Sequence, residues 1–368
     1  VGALFLFGCS GDKPAPTVEP HETTDVVRMD EIAAPLDETG APDDGIPAPQ
    51  DLAGDDSPEP TEIQEPTDSS AAIDTGSEAE VTLGPPTLGC RGTSQDGWLP
   101  LPEASGALRF PDGDSLIVSD SGNDGFAVLL GADGVMKTVR LPLDGPTNAQ
   151  TGAHTDDDLE GLDLGLGGKI YALTSAGWVR SWTRAGIAFT LDGASYPISD
   201  DETFACATRA VNCGPNYEGL CLRSGASAPT AVGSCDGYAA SKARGELVCL
   251  RWDDAGRLAV VPEKTITLGL EVDVLSDCAF LPRAEGQEAD VILLAGNLFS
   301  GSAVWLWREA DGTLLPTPIA GAANQEALLD RGAGGFWSLG DLQNFSEESP
   351  WLSFECGLFA APVPTSTP

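Results

Sequence analysis

The chain is 368 residues long, with a formal net charge of -38 and a pI near 4.1. Carboxylates in such excess set nucleic acid aside as a partner, because a phosphate backbone recruits Lys and Arg. They suit a solvated surface or one that gathers cations, and the length allows one large domain or two to three ordinary ones.

The first residues read Val1-Gly2-Ala3-Leu4-Phe5-Leu6-Phe7-Gly8-Cys9-Ser10. An apolar run without a charged stretch before it reads as the end of a signal peptide. Leu6-Phe7-Gly8-Cys9 resembles a bacterial lipobox, in which the peptide is cut before the cysteine and that cysteine carries lipid. Residues 1–9 are therefore expected to be a signal remnant, with Cys9 the lipidation site and the membrane a partner through that lipid. Ser10 resembles the outer-membrane sorting of some bacteria. No later stretch approaches about 18 consecutive apolar residues, so no membrane-spanning helix is expected.

Residues 10–87 change composition. They hold 20 Asp and Glu against only Lys13 and Arg28, with recurrent proline and no aromatic residue. Such a segment buries too little apolar surface to offset the entropy of ordering it. Charge repulsion and proline keep it extended, so it is expected to be a disordered tether. Its carboxylates are scattered rather than spaced as calcium-loop ligands.

From Cys90 onward, short apolar runs alternate with Gly, Asp and Asn turns. Examples are Leu116–Ser119, Phe126–Leu130, Lys169–Leu173, Trp178–Trp182, Glu246–Trp252, Val291–Ala295 and Ala303–Trp307. Without a long amphipathic helix, this predicts an all-β domain over residues 88–361, with 362–368 a disordered tail. One short pattern recurs: a polar turn, a small residue, then an apolar strand. It occurs at Ala104–Leu108, Asp157–Leu164, Asn216–Leu222, Leu275–Phe280 and Asn324–Leu329. With Gly106, Gly161, Gly219, Ala279 and Ala327 as equivalent points, the steps are 55, 58, 60 and 48 residues. That period suits the four-stranded blade of a β-propeller. Five blades are expected, or six if residues 88–101 and the tail build another; a β-sandwich gives no reason for the repeated motif.

Nine cysteines include Cys9 and eight in the domain. No CxxC pair occurs and His154 is the only histidine of the domain, which argues against structural zinc. An even number in an exported chain predicts disulfides. Ranked by proximity, the pairs are Cys90–Cys356, Cys206–Cys213, Cys221–Cys235 and Cys249–Cys278.

Leu116-Ile117-Val118-Ser119-Asp120-Ser121-Gly122-Asn123 followed by Asp158-Leu159-Glu160-Gly161-Leu162 resembles the esterase-like phytase propellers and their relatives, which include quorum-regulated surface lipoproteins. The resemblance spans about residues 100–345 and is strongest over 112–182. It implies that Glu160, Glu218, Asp277 and Glu326 surround one mouth of the central channel, with Asp120 and Asp124 nearby. Such a ring of carboxylates repels itself unless a cation or protons intervene. Calcium would suit it; capping of each blade's own turn by its carboxylate is the alternative.

A hydrolase would need a nucleophile, base and acid. No G-x-S-x-G elbow occurs, and the weak candidates are His154 and Asp156 beside Glu160. Calcium-assisted ester or phosphoester hydrolysis would use Glu160, Glu218 and Asp277 as ligands. Against an anionic substrate stand 17 Lys and Arg to 37 Asp and Glu outside the tether; Lys169, Lys242 and Arg244 have no readable placement. Trp178, Trp182, Trp305, Trp307 and Trp337 offer a recognition face or, more simply, space-filling between blades. The expectation is a cell-envelope binding or structural module with a protein or glycan ligand.

Overall fold

The computed structural model describes residues 86–120, 122–223, 234–268, 274–281, 290–298, 301–342 and 348–360. The expected lipidation at Cys9, the tether up to residue 85 and the tail 362–368 lie outside them. Among the described residues, alternating apolar positions and tight turns produce 22 strands in chain order.

Strand β1 (Pro86–Leu99) begins inside the stretch read as tether and belongs to the last blade. Blade one is β2 (Ala104–Arg109), β3 (Ser115–Ser119), β4 (Phe126–Leu130) and β5 (Met136–Arg140). Blade two is β6 (Gly161–Leu164), β7 (Ile170–Leu173) and β8 (Trp178–Ala185), with β9 (Ala188–Leu191) and β10 (Tyr196–Pro197) both on β8. Blade three is β11 (Tyr217–Leu222), β12 (Gly237–Ser241), β13 (Glu246–Trp252) and β14 (Leu258–Val260), with β15 (Ile266–Thr267) also on β13. Blade four is β16 (Val274–Phe280), β17 (Val291–Leu298), β18 (Gly301–Arg308) and β19 (Thr313–Ala320). Blade five is β20 (Gln325–Gly332), β21 (Gly335–Gly340), β22 (Ser349–Ala360) and, outermost, β1.

The protein is thus a five-bladed β-propeller of antiparallel sheets. Residues 88–101 do not start a sixth blade. They pair with β22, so the two ends of the domain close the ring in one sheet. The innermost strands β2, β6, β11, β16 and β20 each pack on the next, and β20 packs on β2.

Five apolar clusters correspond to the five interfaces between blades. Side-chain alternation explains this directly. On β3, Leu116 and Val118 face blade two while Ile117 faces blade five. On β17, Ile292 and Leu294 face blade three while Leu293 faces blade five. Both faces are buried, which is why these strands read as continuous apolar runs. Trp182, Trp305 and Trp307 are core residues of these interfaces. Trp337 stacks on Trp351, with ring centroids 4.2 Å apart.

Four disulfides staple the ring. Cys90–Cys356 joins paired positions of β1 and β22, and Cys206–Cys213 closes a short loop. The other two differ from the sequence expectation: Cys221 bonds Cys278 and Cys235 bonds Cys249. All four of these cysteines lie in the cluster between blades three and four. Chain proximity is a poor guide there, because the innermost strand of one blade lies against that of the next. Cys221 therefore meets Cys278, at a Cα separation of 5.5 Å, rather than Cys235.

Candidate functional site

Four of the five innermost strands start with the same irregularity. In β2, β11, β16 and β20 the register slips by one residue, leaving Ser105, Glu218, Ser276 and Glu326 as the extra residue of a bulge. Glu160 holds this place in blade two, its N–H donating to Leu173 O just before β6. A bulge re-aims its side chain. The chain therefore presents Ser105, Glu160, Glu218, Ser276 and Glu326 as equivalent positions, one per blade.

The residue after each bulge is Gly106, Gly161, Gly219, Asp277 and Ala327. The equivalence set at Ala279 is thus two residues late, and the corrected steps are 55, 58, 58 and 50. Glycine is required where inner strands touch near the axis: a Cβ on Gly106 would overlap Glu160 O, and one on Gly161 would overlap Leu220 N. Asp277, expected at the mouth, lies past the bulge instead. Its carboxylate accepts from its neighbour Cys278 N (2.7 Å) and from Leu328 N (2.7 Å) of blade five. Asp163 does the same in blade two, accepting from Leu164 N (2.6 Å) and Leu222 N (2.6 Å). Burial pushes the Asp277 carboxyl well above the usual range and that of Asp163 up to about 7, against the two N–H donors in each case.

Two further sets of residues complete the mouth. Two positions before the bulge stand Glu103, Asp158, Asn216, Val274 and Asn324; opposite them across the first hairpin stand Asp120, Ser175, Lys242, Asn297 and Asp341. The backbone is left-handed at Glu103, Asn216 and Asn324 (φ 51°, 48° and 46°). That turn is tolerated by Asn, less readily by Glu.

Ser105, Asp120, Glu160, Glu218, Lys242 and Glu326 line a cleft of about 290 Å³, together with Glu103, Ala104, Asn212 and Asp341. Glu160, Glu218 and Glu326 come together there; Asp277 does not line it. Ser105 Oγ donates to Glu160. Asp158 accepts from Ser175 N (3.0 Å) and Ser175 Oγ. Glu218 Oε1 accepts from Asn216 Nδ2 (3.1 Å) and pairs with Lys242 Nζ at 3.1 Å.

Burial, then the charges of Glu218, Asp120 and Asp158, push the Glu160 carboxyl well above its usual pKa. Burial also raises Glu218 to about 7, opposed by Lys242, and raises Glu326, where the Glu218 charge adds to it. Burial disfavours the Lys242 ammonium, yet Glu326, Glu218 and Glu160 together outweigh it and raise its pKa. One lysine therefore sits among several carboxyl groups that compete for protons or cations.

The hydrolase candidates do not converge. His154 Nδ1 lies 2.8 Å from Asp124 Oδ1, and that contact holds Asp124 below its usual range. Asp156 is buried between Arg180 and Arg209, with Oδ2 at 3.0 and 3.1 Å from their guanidinium nitrogens. Glu160 is bound to Ser105 of the neighbouring blade. Arg244 donates to Thr203 O, and Lys169 pairs with Asp192. Arg209 covers the Trp178 ring.

No family model matches the chain, and no curated protein matches it in sequence. Solved structures with a similar course of chain include the propeller of Dos1, at 13% identity and a TM-score of 0.35 over 73% of this chain and 63% of that one. This chain therefore spans less than two thirds of that protein. A protein of unknown function from Bacteroides thetaiotaomicron gives 11% identity and 0.38 over 73% and 76%. Virginiamycin B lyase from Staphylococcus aureus gives 10% and 0.34 over 70% and 99%. Likenesses at this level say nothing of activity.

Reasoning from sequence missed Asp158 and Lys242 as residues of the mouth. The signal was available: each lies at a constant offset from the bulge, Asp158 two residues before Glu160 and Lys242 opposite Asn216.

Proposed function

We propose that the protein is an exported, lipid-anchored envelope protein whose propeller is a binding module for a cationic ligand. The observation that carries this reading is the mouth, where Asp120, Glu160, Glu218 and Glu326 converge with Lys242, the one basic residue among the described residues that line the cleft. Such a field attracts cations and repels phosphate and carboxylate esters. Lys242 is already paired to Glu218 and is a poor phosphate ligand. The phytase-like alternative, calcium-assisted phosphoester hydrolysis, is disfavoured on that ground. Four disulfides fit an oxidising compartment rather than the cytosol. Cys9, in its lipobox-like setting, supplies the anchor, and the acidic stretch after it supplies reach from the outer membrane.

Calorimetric titration of the intact chain with calcium chloride, spermidine and inorganic phosphate tests the ligand class. Binding of at least one cation and none of phosphate is expected; phosphate binding as tight as that of either cation would overturn the reading. For the anchor, Cys9→Ala in a bacterial host should move the protein from the membrane fraction to the soluble fraction.

A further inference from the structure

We infer that Asp120, Asp158 and Glu160 form a binding site for one divalent cation of the calcium class, a proposal that rests on the mouth being the ligand site. One oxygen from each residue lies within 4.8 Å of the other two. Calcium accepts irregular sets of oxygens at about 2.3–2.6 Å, whereas magnesium demands a near-octahedral set at about 2.0–2.1 Å. Three carboxylate oxygens this close can turn toward one calcium ion with small side-chain rotations. The donors are all oxygens, which suits a hard cation and not zinc.

A second observation comes from Asp158. It is 2% exposed, and its Oδ2 is taken by Ser175. Its Oδ1 meets no N–H donor, and its carboxyl lies against that of Glu160. A buried carboxylate oxygen without a donor is costly, and an ion between Asp158 and Glu160 satisfies it. Among the described residues neither Asp158 nor Glu160 forms an ion pair, whereas Glu218 on the other side of the mouth has Lys242. The lysine makes its direct ion pair with Glu218, so Asp158 and Glu160 keep room for a separate cation.

Neighbouring groups hold the ligands in place. Asp157 accepts from Gly122 N (3.1 Å) and Asp124 N (2.5 Å), which pins the loop that follows Asp120. Ser105 orients Glu160 from blade one. The site joins the first two blades, with Asp120 from one and Asp158 and Glu160 from the next.

The test is calcium titration of the intact, disulfide-bonded chain by calorimetry, with magnesium and spermidine in parallel. One calcium per chain is expected, with magnesium weaker. Asp158→Asn and Asp120→Asn should each weaken calcium by about tenfold or more, at unchanged circular dichroism. Should those variants fail to fold, Lys242→Met decides: removing the nearby positive charge raises calcium affinity about threefold or more if the ion sits in the mouth. Calcium affinity indifferent to these substitutions overturns the site. Spermidine binding without calcium binding overturns it too, yet leaves the wider reading of the mouth standing. Binding of neither overturns both.

Discussion

Cys221 and Cys278 sit on the innermost strands of neighbouring blades, and their bond ties blade three to blade four across a shared apolar interface. It spans 57 residues of chain, against 7 for Cys206–Cys213. In the chain-entropy account the longer closure contributes about 4 kcal/mol and the shorter about 2 kcal/mol. Paired Cys→Ala replacement should therefore cost more at Cys221 and Cys278 than at Cys206 and Cys213. Denaturant midpoints measure this; equal losses would contradict the entropy ordering.

Gly161 has no room for a side chain, since a Cβ there would overlap the backbone of β11. Gly161→Ala should destabilise the propeller by about 1–3 kcal/mol through overpacking at the axis. Gly92→Ala, where a Cβ meets nothing within 4 Å, should change stability by no more than about 0.5 kcal/mol. Thermal unfolding of the two variants separates close approach from a general cost of replacing glycine.

Asp163 makes stability depend on pH. Its folded pKa of about 7 lies above the unfolded value of about 3.9. The unfolded chain thus releases the proton first as pH rises. The contribution of the protonated carboxyl is complete below about pH 4, declines through about pH 7 and is lost above it, with a slope of up to about 1.4 kcal/mol per unit. Asp163→Asn should flatten that decline. Melting temperatures of both proteins across this range check it, and identical slopes would sink the assignment.

Arg180 is almost fully buried and anchors the connection between blades one and two. It donates to Asp156 O (2.8 Å), Asp144 O (3.0 Å) and Asp144 Oδ1 (3.1 Å). Arg180→Met leaves these acceptors without their donor and should cost about 3–5 kcal/mol. His154→Ala, by contrast, should cost little, about 0.5 kcal/mol. Urea unfolding of the pair measures both; a neutral Arg180→Met would show that the connection is held elsewhere.

Much of the architecture was legible in the chain. Alternation within Leu116–Val118 and Val291–Ala295, Gly and Asp turns, and a motif every 50 to 60 residues are local signals. They are properties of a strand or hairpin, and they specify an all-β repeat of five or six units whatever surrounds them. The mouth was partly legible too, because Glu160, Glu218 and Glu326 each mark the start of an inner strand.

Other features depend on neighbours far apart in sequence, and only the folded ring decided them. β1 crosses to the last blade because β22 offers it an open edge. Cys221 bonds Cys278 because adjacent inner strands bring the two to a Cα separation of 5.5 Å. Asp277 left the mouth because the bulge residue of its blade is Ser276, so Asp277 takes the place of Gly161 and Gly219, one residue past the position of Glu160 and Glu218. Asp120 joined Asp158 and Glu160 for a related reason: it belongs to the preceding blade, and the packing of blade one on blade two brings the three carboxylates together.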